Sequence, residues 1–228
     1  MRVPIFLALT LTCLAPLMPA KEDADQRLAS AADVLSDMMN ASDKGIPQDL
    51  ISRSQCVVVV PGMKKGAFIV GAKYGKGFVM CRRASGSGWS APAAIRVEGG
   101  SVGFQIGGSE QDVILLVMNK TGMSKLLKSQ FTLGGEGTVS AGPLGRDATA
   151  QTDAMMRAEM LSYSRSRGVF AGISLQGATL RQDDDANAEM YGGKKIANKD
   201  ILEGEVQAPA AAAKLNALLS KTSMTKTR

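Results

Sequence analysis

No histidine occurs anywhere in the 228 residues of this chain. Its absence excludes Ser-His-Asp and Cys-His catalysis and every histidine-ligated zinc pattern. Aromatic residues are few, one Trp, three Tyr and six Phe, and little of that set lies among the basic residues, which argues against nucleic acid as a partner. Beyond residue 20 no apolar run approaches the length that a membrane-spanning helix needs. A strong charge of either sign is lacking too. The formal net charge of +6 permits anionic partners without demanding them.

What is present begins with "MRVPIFLALTLTCLAPLMPA", residues 1 to 20, in which Arg2 precedes an apolar run from Val3 to Leu17 and Lys21 opens a polar stretch. The pattern predicts a secretory signal peptide cleaved after Ala20. A lipoprotein anchor at Cys13 is the less favoured reading, because Thr10-Leu11-Thr12 lacks the expected order before the cysteine. Removal of residues 1 to 20 takes Arg2 and leaves 26 basic against 21 acidic residues, a net charge of +5. Two cysteines remain, Cys56 and Cys81. Export allows them to be oxidised, while spacing alone cannot establish proximity, so a disulfide and a pair of buried thiols both stay open. The exported chain, localised to the periplasm or outside the cell, is long enough for one domain with a substantial core.

Residues 22 to 40 read as an amphipathic helix, with Leu28, Ala31, Ala32, Leu35, Met38 and Met39 at three-and-four spacing. Its polar side, with Glu22, Asp23, Asp25, Asp33 and Asp37 against Lys21 and Arg27, is acidic. Anionic lipid would repel such a face, so a core-packing helix is expected. From Cys56 onward short β-type runs alternate with Gly, Pro and Ser. "CVVVV", "GAFIVGAKY", "GKGFVMCRR", "SAPAAIRVE", "SVGFQIGG" and "DVILLVMN" follow one another at hairpin-like spacing. Val57 to Val60 and Val113 to Met118 are apolar on both alternating faces and call for cover on two sides. "TGMSKLLKS", residues 121 to 129, reads as one short helix. Leu161, Tyr163 and Arg165 alternate with serines as a strand that turns at "RSRG". Residues 206 to 228 read as a terminal helix or a frayed tail.

Three motifs invite chemistry. "GAFIVGAK" nearly spells a phosphate loop, but Ala72 separates Gly71 from Lys73, Tyr74 replaces the required Ser or Thr, and no helix pattern follows. Its glycines are better explained as relief of crowding where strands bend or cross. "DDDANAE", residues 183 to 189, sets Asp183, Asp185, Asn187 and Glu189 at alternate positions like the start of a calcium loop. Ala188 occupies the glycine position and Lys194 that of the bidentate Glu, leaving a solvated acidic turn or a loose cation site. No metal or other cofactor is expected. The basic residues form the third group: Lys64, Lys65, Lys73 and Lys76 at two successive turns, Arg82 and Arg83 after a strand, and Arg165 and Arg167 flanking a third turn. Turns gathered at one end of a sheet would make a patch able to accept phosphate oxygens.

The blocks "GWSAPAAI", "GGSVGFQIGG", "FTLGGEGTVSAGPLGRDA" and "SYSRSRGVFAGISLQGATLRQDDDANAEMYG" resemble the successive signatures of the SYLF-domain family, a lipid-binding domain also labelled an actin-binding domain in its yeast members. The resemblance runs from about Ala29 to Gly192, within a domain expected over residues 21 to 205. It implies phosphoinositide or other anionic-lipid binding in eukaryotic members through an N-terminal amphipathic helix and basic residues, actin bundling in some, and no catalysis. The expectation is therefore an α+β, mainly antiparallel and barrel-like domain with an N-terminal helix and short packed helices. It would serve as a noncatalytic exported module binding anionic phospholipid or phosphoinositide-like headgroups through Lys64, Lys65, Lys73, Lys76, Arg165 and Arg167. The alternative is a structural or protein-interaction component of the bacterial cell envelope, with an envelope protein as partner. Export would keep such a chain from actin.

Overall fold

The computed structural model describes residues 23–41, 45–67, 70–86, 88–102, 107–145 and 158–224. The signal sequence and Cys13 lie outside the described residues. The first helix, α1 (Ala24–Asn40), starts at Asp23, whose carboxylate accepts a hydrogen bond from the Gln26 amide and satisfies one orphan donor of the first turn. Of its three-and-four stripe, Leu28, Ala31, Ala32, Leu35 and Met38 are buried and Met39 is partly buried. A second short helix, α2 (Gln48–Arg53), leads into the sheet.

Among the described residues nine strands follow, interrupted by helices: β1 (Cys56–Ala67), β2 (Val70–Cys81), β3 (Ala93–Val102), β4 (Gly107–Val117), β5 (Gln130–Thr132), β6 (Val139–Ala141), β7 (Met160–Ser166), β8 (Val169–Gly172) and β9 (Ala178–Gln182). They form one curled sheet in the order β5-β9-β3-β2-β1-β4-β7-β6, with β8 also paired to β7. Every pairing is antiparallel except that of β6 with β7. The α+β, mainly antiparallel class expected from the sequence is the one observed. Further helices are α3 (Lys120–Leu126), α4 (Asp184–Met190), α5 (Asn198–Glu203) and α6 (Ala213–Met224).

Both faces of the sheet are covered, which is why Val57–Val60 and Val113–Val117 are apolar at every position. Val57, Val59, Phe78, Met80, Ile114, Leu116 and Tyr163 face α1, α2 and α6. Val58, Val60, Met63, Val79, Val97, Leu115 and Val117 fill the opposite side with Leu126, Phe131, Leu180, Ile201 and Leu202. Burial of each large side chain contributes about 1.5–3 kcal/mol. The segment after Val206 forms a single 3-10 turn and then α6, whose Leu215 and Leu219 are buried in the same cluster as α1.

The structure corrects the reading of "MKKGAFIVGAKYGKG". Lys64, Lys65, Lys73 and Lys76 do not stand at turns but within two twelve-residue strands, paired in register as Lys64↔Tyr74 and Lys65↔Lys73 up to Ala67↔Gly71. Pro61-Gly62, which resembles a turn, is a bulge inside β1, where the register shifts against both neighbours. A proline has no N–H to give a ladder, and a bulge leaves that position unpaired. Gly62 takes φ +54° there and donates its N–H to Asp112 Oδ1 at 3.0 Å. The other expected hairpin is present: β7 and β8 join through Arg167 and Gly168, both at positive φ, which is type I′ geometry.

Candidate functional site

Because β1 to β4 are longer than the strands flanking them, they project past the rest of the sheet. The outer edge of β4 meets β7 only from Asp112 onward, and that of β3 meets β9 only between Ile95 and Gly99. The projection carries Lys64, exposed, and Lys65 and Lys73, half-buried. Successive rows across β3, β2, β1 and β4 read Glu98–Tyr74–Lys64–Glu110 and then Gly99–Lys73–Lys65–Ser109. Side chains in consecutive rows point to opposite faces. Lys65 and Lys73 therefore share a face with Met63 and Val97, away from α1, while Lys64 shares the other face with both glutamates.

The lysine pair is electrostatically unfavourable. Burial first, and the charge of Lys65 second, hold the Lys73 pKa below its ordinary value, and like charges directly opposite one another destabilise a strand pair. Among the described residues neither lysine side chain has an ion pair or a hydrogen bond. Glu98 is turned to Arg96 and Arg181.

Two members of the expected set have partners. Lys76 forms an ion pair with Asp183 at 2.7 Å, the carboxylate being 3% exposed. Asp183 also caps α4 by accepting from the Ala186 amide, so residues 184–190 are a helix and not the acidic turn expected. Arg165 donates Nε and Nη2 to Asp112 Oδ2 at 3.0 and 2.8 Å, and Nη1 to Asp37 of α1. Burial acts to lower the Arg165 pKa, but the hydrogen bonds and charges of Asp37 and Asp112 raise it overall. Arg165 thus fastens α1 to the sheet. Arg167 is exposed at the β7–β8 turn. It follows Ser166, whose hydroxyl donates to the Glu110 carbonyl one strand away from Lys64. Hence the projection carries Lys65 and Lys73 on one face and Lys64 on the other, with Arg167 at its flank, while Lys76 and Arg165 are held in structural ion pairs.

At the opposite end of β1 and β2, Cys56 and Cys81 are register partners joined by a disulfide and fully buried. Arg82 beside it donates to the carbonyls of Ser54 and Ser52 at the end of α2, both at 2.8 Å, and stacks 4.5 Å over Trp89. Burial lowers its pKa. Sequence spacing placed Arg82 among the basic turns; its role in closing a helix C-terminus depends on α2 folding against the sheet, which no local signal reveals.

Fold and site define a class: an α+β domain whose curled sheet presents a projecting basic hairpin. The family model described as Ysc84, Las17-binding protein actin regulator, matches residues 98–222, and the chain belongs to this Ysc84, or SYLF-domain, family. Among similar curated proteins, SH3 domain-containing YSC84-like protein 1 of Xenopus laevis is 37% identical over 181 residues, covering 79% of this chain and 53% of that protein. Its namesake in Homo sapiens is 35% identical over 181 residues, covering 79% and 52%. LAS seventeen-binding protein 3 of Saccharomyces cerevisiae is 33% identical over 184 residues, covering 79% and 39%. The chain thus spans about half or less of the length of these relatives.

Proposed function

We infer that this domain is a noncatalytic, exported binding module that docks on anionic lipid headgroups through the projecting β1–β2 hairpin. The observation that carries the reading is the pair Lys65 and Lys73, which the strand register sets opposite one another without a side-chain ion pair among the described residues, with Lys64 on the other face of the same projection. Charge-assisted contact with phosphate oxygens uses cations held in this way. Lys76 and Arg165 are left out of the contact set, because each is held by a carboxylate. Export is supported by the N-terminal pattern and by the buried disulfide, which suits an oxidising compartment.

Vesicle co-sedimentation tests the reading. Binding is expected to rise with the fraction of anionic lipid, to weaken with salt, and to fall at least about tenfold in a Lys64→Gln/Lys65→Gln/Lys73→Gln variant, as loss of roughly 1.4 kcal/mol would give. Indifference of both proteins to anionic vesicles would sink it. The second reading, a protein-interaction component, is favoured by the description of the family as a Las17-binding protein actin regulator. Co-sedimentation with filamentous actin, retained in the triple variant, would select it.

A further inference from the structure

We propose that Lys65 and Lys73 form a two-cation cradle for a doubly charged phosphomonoester, in preference to a singly charged phosphodiester. The proposal rests on the headgroup reading above and adds the chemical class that the site selects.

Four observations meet at this pair. Lys65 and Lys73 are direct register partners on adjacent strands, where Cα atoms are about 4.5–5.5 Å apart, so two flexible ammonium groups can close on one phosphate. The row that holds them ends in Gly99 and Ser109, and the nearest same-face neighbours of Lys73 along β2 are Gly71 and Gly75. None of these four carries a bulky side chain, although Val60 and Met63 occupy the space over Gly75 and Ala178 lies beside Gly99. The acidic groups nearest in register, Glu98 and Glu110, stand in the adjacent row and so on the other face of the pleat. Glu98 is already held by arginines, and the Glu110 carboxylate lies against the position a Gly62 side chain would take. Finally, the pair is half-buried on the face that carries Met63 and Val97, in the next row on that face.

The arrangement costs stability as it stands, since like charges face each other. A ligand that removes this cost must bring about two negative charges to one point. A phosphomonoester, with about −1.5 to −2 at neutral pH, does so; a diester brings one. Lysine binds phosphate as a point charge without the planar fork of arginine, so the selection is for charge rather than for one headgroup's shape.

The test compares the full chain on phosphatidylcholine vesicles containing phosphatidic acid with vesicles containing phosphatidylglycerol at matched surface charge. A third arm titrates inorganic phosphate without membrane and follows the lysine signals of Lys65 and Lys73. At least about fivefold tighter binding to the phosphatidic acid vesicles is expected. The Lys65→Gln/Lys73→Gln variant should lose that preference and keep the weaker phosphatidylglycerol binding through Lys64 and Arg167. This variant relieves a repulsion, so its thermal midpoint should equal or exceed the parent's; a clear drop would make the lysines structural and overturn the cradle. Equal binding to the two vesicles, or a preference that survives in the variant, also overturns the cradle and leaves the headgroup reading standing. Phosphate binding that the variant loses, with no vesicle binding at all, supports the cradle with free phosphate as its source and overturns the membrane reading. No binding in any arm overturns both.

Discussion

At Lys73 two effects act in one direction, burial and the charge of Lys65, and both hold its pKa below the ordinary 10.5. The unfolded chain keeps this proton up to that ordinary value, so between the lowered folded value and 10.5 the unfolded state binds more protons. Stability contributed at this site therefore rises with pH through that alkaline window. Tyr163 and Tyr191 act oppositely: burial raises their pKa values, so above the ordinary tyrosine value of 10.0 the unfolded chain loses protons that the folded chain keeps. Denaturant midpoints of the parent and Lys73→Gln, measured from neutral to alkaline pH, isolate the lysine. The parent should gain on the variant as pH rises, and parallel curves would show that the lowering is absent. Bound phosphate should push the window upward, because an anion favours the charged amine.

The hairpin formed by β1 and β2 owes its shape to close backbone approach, and this can be tested at its glycines. A side chain at Gly77 would place Cβ 2.1 Å from the Val59 carbonyl oxygen and 2.8 Å from Val60 Cα, both backbone atoms beside the bulge. Gly66 in the projecting part has open space around the same position. Gly77→Ala should cost about 1–3 kcal/mol, as overpacking does, while Gly66→Ala should stay within about 0.5 kcal/mol of the parent, as surface changes do; urea unfolding measures both. Equal effects at the two sites would contradict the register described. The sequence disclosed that the glycines relieve crowding, and its alternation disclosed that Val57–Val60 is covered on both faces. It misplaced the lysines because Pro61-Gly62 and the Gly-Lys pairs carry turn signals. Only the register against β4 makes the first a bulge and the others strand residues.

In the whole molecule α1 is held from several sides. Its apolar stripe is buried under the sheet, Asp33 pairs with Lys214 of α6, Asp37 with Arg165 of β7, and the Ala24 amide donates to Glu189 of α4. Freeing the helix for a membrane would expose Leu28, Leu35 and Met38 at about 1.5–3 kcal/mol each and would present an acidic polar face to anionic lipid. The resemblance to the family implied a membrane-seeking N-terminal helix; the packing here favours docking through the hairpin with α1 in place. Hydrogen exchange on phosphatidic acid vesicles should slow amides of Met63–Gly66 and Gly71–Lys76 and leave α1 as protected as in solution. Faster exchange in α1 on vesicles would contradict this mode.

Periodicity and composition determined the elements: a helix ending near residue 40, strands from Cys56 onward, a hairpin turn within "RSRG" and strands covered on two faces. These are set by local sterics and by the pleat or helical repeat, which a linear pattern records. Which cations remain available is of another kind. Lys73 and Lys76 lie three residues apart in one strand, so the pleat sends them to opposite faces, but nothing local says which face holds a partner. Lys76 points to the face covered by α1, where the Asp183 carboxylate arrives from the far end of β9, and Lys73 points to the face it shares with Lys65. A charge is neutralised by whatever the fold places within a few ångströms of it, and that distance exists only once the sheet has closed.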